Sequence, residues 1–212
     1  MNAELILFAK SPVAGRVKTR LIPDLGEAGA AALAESLIEY TVQRAAECWP
    51  GPLRMLVWPD PAHDCFERLR DHYGIEVSLQ SGSDLGARMF NALNEAHQRG
   101  VAAAVMGCDV PQCPRETYRT AHAFVSQGRS VIGPSVDGGY YLVAVNPPAP
   151  ACFDNIEWGG GRVFDTTLAR AADAGVNLIV LQQLNDIDTV SDIDALRETD
   201  AELVVRLMER LS

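Results

Sequence analysis

The chain is 212 residues long, 48% hydrophobic and 22% charged, and carries a formal net charge of -10. These proportions belong to a globular protein able to bury a sizeable core, and they exclude a disordered chain. Net acidity argues against nucleic acid or an anionic membrane surface as a partner, since both repel it at long range.

Short apolar runs alternate with helix-period segments, the pattern of one mostly parallel sheet covered on both faces, and the length suits a single α/β domain. The spacing predicts a buried strand over 4–9 (ELILFA), then a loop holding Lys10, Arg16, Lys18 and Arg20 with no acid among them. Residues 27–47 place Leu33, Leu37 and Tyr40 on one stripe of a long helix. Strands are predicted over 53–58 and 75–80 with a helix over 61–72 between them, and in the next helix Leu85, Met89, Ala92 and Ala96 share a face. VAAAVMG at 101–107 reads as a central strand, and SVIGPS and GYYLVAV as strands joined through a turn at Asp137-Gly138-Gly139. A Pro-rich connection at 147–150, a Gly-rich loop at 159–161, a helix over 162–174, a strand over 177–182 and two closing helical segments complete the chain.

Five cysteines without a C-x-x-C pair point to reduced thiols rather than a disulfide framework or zinc knuckle. No apolar run approaches the roughly eighteen residues that span a bilayer. Glu4 precedes the first apolar run, unlike a signal peptide, so a cytoplasmic protein is expected.

In open α/β sheets, ligands sit beyond the carboxyl ends of the strands. The chemically loaded stretches fall there: Lys10 to Arg20 after the first strand, Gln80 to Arg88 after the third, Cys108 to Pro111 after the central one and Asn185 to Thr189 after the last. Four cations facing carboxylates suit a metal-bound polyphosphate, because guanidinium forks and ammonium groups match phosphate oxygens. Mg²⁺ takes one or two protein carboxylates and fills its remaining positions with phosphate and water, so Asp109 with Asp186 or Asp188 would suffice. Gly15 would let the basic loop bend back over the phosphates, and a helix start near Gly26 would add amide donors. GRVKT is not a P-loop, since Val17 stands where a glycine must precede the lysine. The absence of G-x-G-x-x-G after the first strand and of G-x-S-x-G removes dinucleotide and α/β-hydrolase readings. His63, His72, His97 and His122 fall in predicted helices or their flanks, away from the loaded loops.

Taken in order, FAKSPVAGRVKTRL (8–21), DLGARM (84–89), GCDVP (107–111), PSVDGGYYLVAV (134–145) and DIDT (186–189) span nearly the whole chain. With these motifs the sequence resembles a bacterial family of glycosyltransferase-A-like proteins, the selenodomain-associated transferases. In outline it is also similar to 2-phospho-L-lactate guanylyltransferases and molybdenum-cofactor nucleotidyltransferases. The resemblance implies a Rossmann-like, nucleotide-diphospho-sugar transferase fold, with a mixed, mostly parallel sheet that binds a nucleotide and Mg²⁺ or Mn²⁺. It implies that Lys10, Arg16, Lys18 and Arg20 hold phosphates while Gln80, Leu85 and Gly86 lie near the base. Asp109 is implied as a metal ligand. The turn lacks the second aspartate of a D-x-D motif, so another carboxylate must join it, Asp188 as first choice and Asp186 as second. Asp137, Gly138, Gly139, Tyr140 and Trp158 are implied on the acceptor side, although Gly159-Gly160-Gly161 follows Trp158 where the family has Ser or Thr.

Two reactions fit, with Lys18, Asp109 and Asp137 as the catalytic candidates. In nucleotidyl transfer a phosphate or phosphonate on the acceptor attacks the α-phosphorus of an NTP and pyrophosphate leaves. In glycosyl transfer an acceptor hydroxyl attacks the anomeric carbon of an NDP-sugar, with Asp137 as candidate base. The basic loop tips the expectation slightly toward nucleotidyl transfer, because departing pyrophosphate has more charge to neutralise. A non-catalytic nucleotide-sensing module is the third reading, opposed by Asp109 and the late acidic pair. The expected partners are a nucleotide or nucleotide-sugar and a small-molecule acceptor, without nucleic acid or membrane, and the oligomeric state is left open between monomer and homodimer.

Overall fold

In β1 (Glu4–Lys10), successive side chains turn to opposite faces, so Leu5, Leu7 and Ala9 enter one apolar cluster and Ile6 and Phe8 another. A strand buried on both faces belongs inside a parallel sheet. In a computed structural model of the chain, which describes residues 3–209, β1 pairs in parallel with β2 (Leu53–Trp58) on one side and β4 (Ala103–Gly107) on the other. With β3 (Glu76–Leu79), β5 (Ser130–Pro134), β6 (Tyr140–Ala144) and β7 (Leu178–Val180) they form one seven-stranded sheet in the order β3-β2-β1-β4-β6-β5-β7. Only β6 is antiparallel to its neighbours. The predicted α/β class, the mixed and mostly parallel sheet and the central place of β4 are all observed.

One face of the sheet is covered by α1 (Ile22–Cys48), α2 (Asp64–Tyr73) and α4 (Arg115–Ser126), which contribute Ile38, Val42, Phe66, Leu69, Tyr118 and Val125 to its core. The other face takes α3 (Leu85–Gln98) and α5 (Val163–Asp173) through Met89, Leu93, Ala96 and Ala171. Outside the first layer, α6 (Val190–Thr199) and α7 (Ala201–Met208) pack Ile193, Leu196, Leu203 and Leu207 against Leu33 and Leu37 of α1. Helix α1 is therefore buried on two sides.

Three local points refine or correct these expectations. The segment after the central strand contains α4, expected only through the helical setting of His122 and without bounds: its buried stripe is Thr117, Tyr118, Ala121 and Val125 among charged and small residues, a weak signal. Helix α1 gains a short leading turn from Ile22 with Pro23 in it, and Gly26 (φ 70°, ψ 169°) is non-helical and separates that turn from the long helix, which starts at the expected position. Leu85 leaves the core-facing stripe of α3: Met89, Ala92 and Ala96 are buried, whereas Leu85 is exposed at the helix's first turn.

Candidate functional site

The basic loop leaves the carboxyl end of β1 and is anchored by Val17, buried against Ala31 and Ala34 of α1. Gly15 (φ 75°) lies against α1, where an added Cβ would sit 3.3 Å from the Glu27 carboxyl group. The next lysine, Lys18, adopts the left-handed backbone region (φ 46°), which turns its side chain inward. Its ammonium lies 2.5 Å from Asp109 Oδ1 and 2.9 Å from Asp188 Oδ1, and Arg20 Nη1 is 3.7 Å from Asp188 Oδ2. The Lys18 side chain is only 7% exposed, against 53% for Asp109 and 36% for Asp188. Burial works to lower the Lys18 pKa, but the charges of Asp109 and Asp188 outweigh it and raise the value above that of an ordinary lysine.

Asp109 and Asp188 meet although 78 residues separate them. The Ile187 N–H donates to the Asp109 carbonyl (2.9 Å), and the Gln112 side-chain amide donates to the Asn185 carbonyl. Thr189 caps α6 in a capping box with Asp192. Asp192 also accepts from the Asp188 N–H (3.1 Å) and the Asn185 amide (3.1 Å). Burial opposes the charge of Asp192, yet these hydrogen bonds hold its pKa below the ordinary carboxylate value. Asp192 and Gln112 thus set the acidic loop in place. Neither stood out in the sequence, although Asp192 three residues after Thr189 is a capping pattern that could have found the first.

Lys10, Arg16, Lys18, Arg20, Asp109 and Asp188 line a pocket of about 340 Å³, in which Lys10, Arg16 and Arg20 are exposed. It adjoins a wider cleft of about 580 Å³, and Phe8, Ala9, Lys10 and Asp109 line both. On the β2–β3 side of that cleft, Gln80 is buried and its amide nitrogen donates to the carbonyls of Ala9 (3.3 Å) and Leu56 (2.9 Å), so only its oxygen is left for a ligand. Leu85 lines the mouth. The Arg88 guanidinium stacks 3.7 Å from the centroid of the exposed Trp58, and both line the cleft. Sequence reasoning did not single out this pair, although Trp58 closes a strand at the loaded edge and Arg88 lies in the DLGARM motif.

The opposite wall descends from β6. Asp137 Oδ1 accepts from the Ser135 hydroxyl (2.5 Å) and the Gly139 N–H (2.8 Å), the hydrogen bonding of a short turn between β5 and β6. Gly138 (φ 87°) is pressed so closely on the Gly161 backbone that no Cβ would fit, and its carbonyl accepts from the Phe164 N–H (2.8 Å). Trp158 and Tyr140 meet edge to face at 6.4 Å. Gly86 seats this pair: an added Cβ would lie 2.6 Å from Trp158 Cζ2 and 2.7 Å from the Phe153 carbonyl oxygen. Its local work is thus to let α3 approach Trp158. The Asp186 pKa rises to about 6, first through burial and then through the charge of Asp137, with Asp188 and Asp109 adding. Asp109, Asp137 and Asp186 all line the cleft.

Cys108, beside Asp109, is buried and its thiol is pushed well above the ordinary range by burial, which makes it an inert packing group. Among the described residues, no group of three or more His, Cys, Asp and Glu side chains converges as a ready metal cage, and no helix is long and apolar enough to cross a membrane. What the structure does provide is a point at which two carboxylate oxygens meet one cation. That donor set fits Mg²⁺ or Mn²⁺, which need few protein ligands when phosphate and water complete the shell.

The model of a family described as an uncharacterized protein conserved in bacteria (DUF2064) matches residues 41–160. No curated protein matches the chain. A solved structure from Desulfovibrio desulfuricans G20, named as a candidate nucleotide-diphospho-sugar transferase, is 30% identical with a TM-score of 0.87, over 100% of this chain and 94% of that one. CMP:2-keto-3-deoxy-manno-octonic acid synthetase, solved with CTP, shares 11% identity at a TM-score of 0.55, over 96% of this chain and 100% of that one. Rv0371C from Mycobacterium tuberculosis H37Rv, solved with manganese, shares 19% identity at a TM-score of 0.51, over 94% and 100%. The last two are likenesses of fold alone.

Proposed function

We propose that this chain, which belongs to the DUF2064 family, is a nucleotide-using transferase whose single domain moves a glycosyl group from a nucleotide-diphospho-sugar to an acceptor hydroxyl. The observation that carries this reading is the character of the β6 wall. Asp137 and Asp186 stand with Tyr140 and Trp158 on the acceptor side, where a phosphorylated acceptor would meet like charge and a hydroxylated ring finds carboxylate acceptors and aromatic faces. The name of the Desulfovibrio desulfuricans relative points the same way. The slight preference for nucleotidyl transfer in the sequence reading rested on four cations. In the fold, Lys18 is already matched by two carboxylates and Arg20 shares one of them, so the charge free for a departing polyphosphate is smaller.

In this reading the diphosphate lies over the β1 loop, held by Lys10, Arg16 and Arg20, with the nucleoside directed toward Gln80, Leu85 and the Trp58–Arg88 stack. The acceptor lies under Trp158 beside Gly138 and Gly139. Asp137 takes the proton as the acceptor oxygen forms its bond to the anomeric carbon, and the bond from that carbon to the diphosphate breaks. A divalent ion held by Asp109 and Asp188, with Asp186 nearby, would neutralise charge on the departing diphosphate. The loop cations share that task from the other side.

Nucleotidyl transfer remains the second reading, favoured by the exposed Lys10 and Arg16 at the phosphate pocket. Thermal shifts with NDP-sugars and NTPs in Mn²⁺, followed by product analysis, separate the two. A ligand at about a hundred times its Kd adds roughly 2.7 kcal/mol, which moves the midpoint of a chain this long by several degrees. Preference for an NDP-sugar, with NDP released, supports glycosyl transfer; a shift with one NTP only, with pyrophosphate released, overturns it in favour of the second reading.

A further inference from the structure

The Lys18 ammonium occupies the point where Asp109 and Asp188 converge, at 2.5 and 2.9 Å from their Oδ1 atoms. A magnesium-sized ion bound to the same two oxygens would stand at about 2.0–2.1 Å from each. The two positions nearly coincide, and both occupants are cations, so they exclude each other. Around this point the surroundings allow exchange. Val17 is buried beneath the loop and the Lys18 backbone is held in its left-handed turn, so departure of the ammonium requires only its flexible four-carbon stem to swing. The adjoining pocket of about 340 Å³ is lined by the same side chain together with Lys10, Arg16 and Arg20. An ammonium expelled into that cationic pocket needs an anion there, and a diphosphate supplies it.

We infer that Lys18 is an internal cation holding the divalent-ion position, so that the site admits the ion as its chelate with a diphosphate and not as the free ion. This rests on the transferase reading above and specifies the ligand of that site. The free ion must displace Lys18 and strand it among like charges. The chelate brings both the replacement for Lys18 between the carboxylates and a new partner for its ammonium. When the competent arrangement is a minor one, apparent affinity falls by the fraction of molecules that adopt it, and removing the competing ammonium removes that penalty.

The test is calorimetric titration with Mn²⁺ alone and with preformed Mn²⁺–pyrophosphate, on the wild type, Lys18→Met and Asp109→Asn. Lys18→Met is expected to bind Mn²⁺ alone at least roughly tenfold more tightly than the wild type, as relief of a competent fraction of about a tenth or less requires. The wild type should favour the chelate over the free ion, Lys18→Met should lose most of that preference, and Asp109→Asn should bind neither well. Equal affinity of wild type and Lys18→Met for Mn²⁺ alone overturns the proposal and leaves the transferase reading intact, provided that Asp109→Asn abolishes the binding. Failure of wild type and Lys18→Met to take up either probe overturns both. Should Lys18→Met not fold, the wild type decides alone: equal affinity for free ion and chelate overturns the exchange.

Discussion

At each end of the sheet one buried cation sits between two carboxylates, and the two arrangements are built differently. At the amino ends of the strands, Arg54 of β2 is 5% exposed and reaches Glu95 at 2.6 Å and Glu4 at 3.6 Å, while Arg99 closes on Glu4 at 2.7 Å. These groups come from regular strands, a helix and its end, and none lines a described pocket of the site. At the carboxyl ends, Lys18 comes from a loop with a left-handed backbone, its partners come from two other loops, and all three line an open pocket. A guanidinium offers a rigid fork that fixes its partners, whereas an ammonium on a flexible stem can leave. The same charge pattern therefore ties strands together at one end and leaves an exchangeable position at the other. Pairing alone does not mark a site. A neighbouring cavity and a cation carried on a flexible stem do.

The largest effect that would sharpen this contrast is at Asp109. Asp109→Asn should lower kcat/KM by roughly 10²–10³-fold, the scale of losing one preorganised electrostatic group. Its melting midpoint should stay within a few degrees of the wild type, and a large loss of Tm would break the comparison. Arg54→Met should do the reverse. Leaving Glu4 and Glu95 short of a partner should cost about 2–4 kcal/mol, lowering Tm by roughly 5–15 °C, with activity per folded molecule unchanged. A smaller effect is expected at Trp158, where Trp158→Ala should raise the acceptor KM roughly tenfold and leave the affinity for NDP nearly unchanged. Equal losses for donor and acceptor would mean that the two walls of the cleft are not separate.

The smallest effect belongs to Asp186, whose folded-state pKa is raised to about 6 from 3.8. A carboxyl that binds its proton more tightly when folded opposes folding at neutral pH, and this opposition is lost as pH falls through about 6. Measured without divalent ions, the wild type should therefore gain stability relative to Asp186→Asn between about pH 7 and 5. The gain should stay below about 1 kcal/mol, because the group is partly open to solvent. A gap that does not change with pH would place Asp186 away from its acidic neighbours.

Much of the fold was legible because strands buried on both faces write uninterrupted apolar runs, as ELILFA and LRMLVW do. The bounds of helix α4 were not legible because its stripe depends on Ala121 and Thr117 as much as on Tyr118 and Val125, and small residues carry little periodic signal. The four loaded loops could be placed at one edge because each follows the carboxyl end of a predicted strand. The pairing of Lys18 with Asp109 and Asp188 could not, since it depends on the Ile187–Asp109 and Gln112–Asn185 hydrogen bonds that draw distant loops together. Gly86 illustrates the same limit of local reading: a glycine at the start of a helix looks permissive, and only the approach of Trp158 gives it a reason.

Because β6 alone runs against the other strands, the turn at 135–139 joins two hydrogen-bonded neighbours at the ligand edge, whereas the loops after β1, β3 and β4 each feed a helix packed on the core. A hairpin turn accepts insertions without shifting the register of any parallel crossover. On the transferase reading proposed above, acceptor preference would respond to the composition of this turn, so long as Gly138 keeps its seat on Gly161 and Asp137 its hydrogen bonds from Ser135 and Gly139. Library design aimed at new acceptors belongs at Val136 and the residues around it rather than at the basic loop.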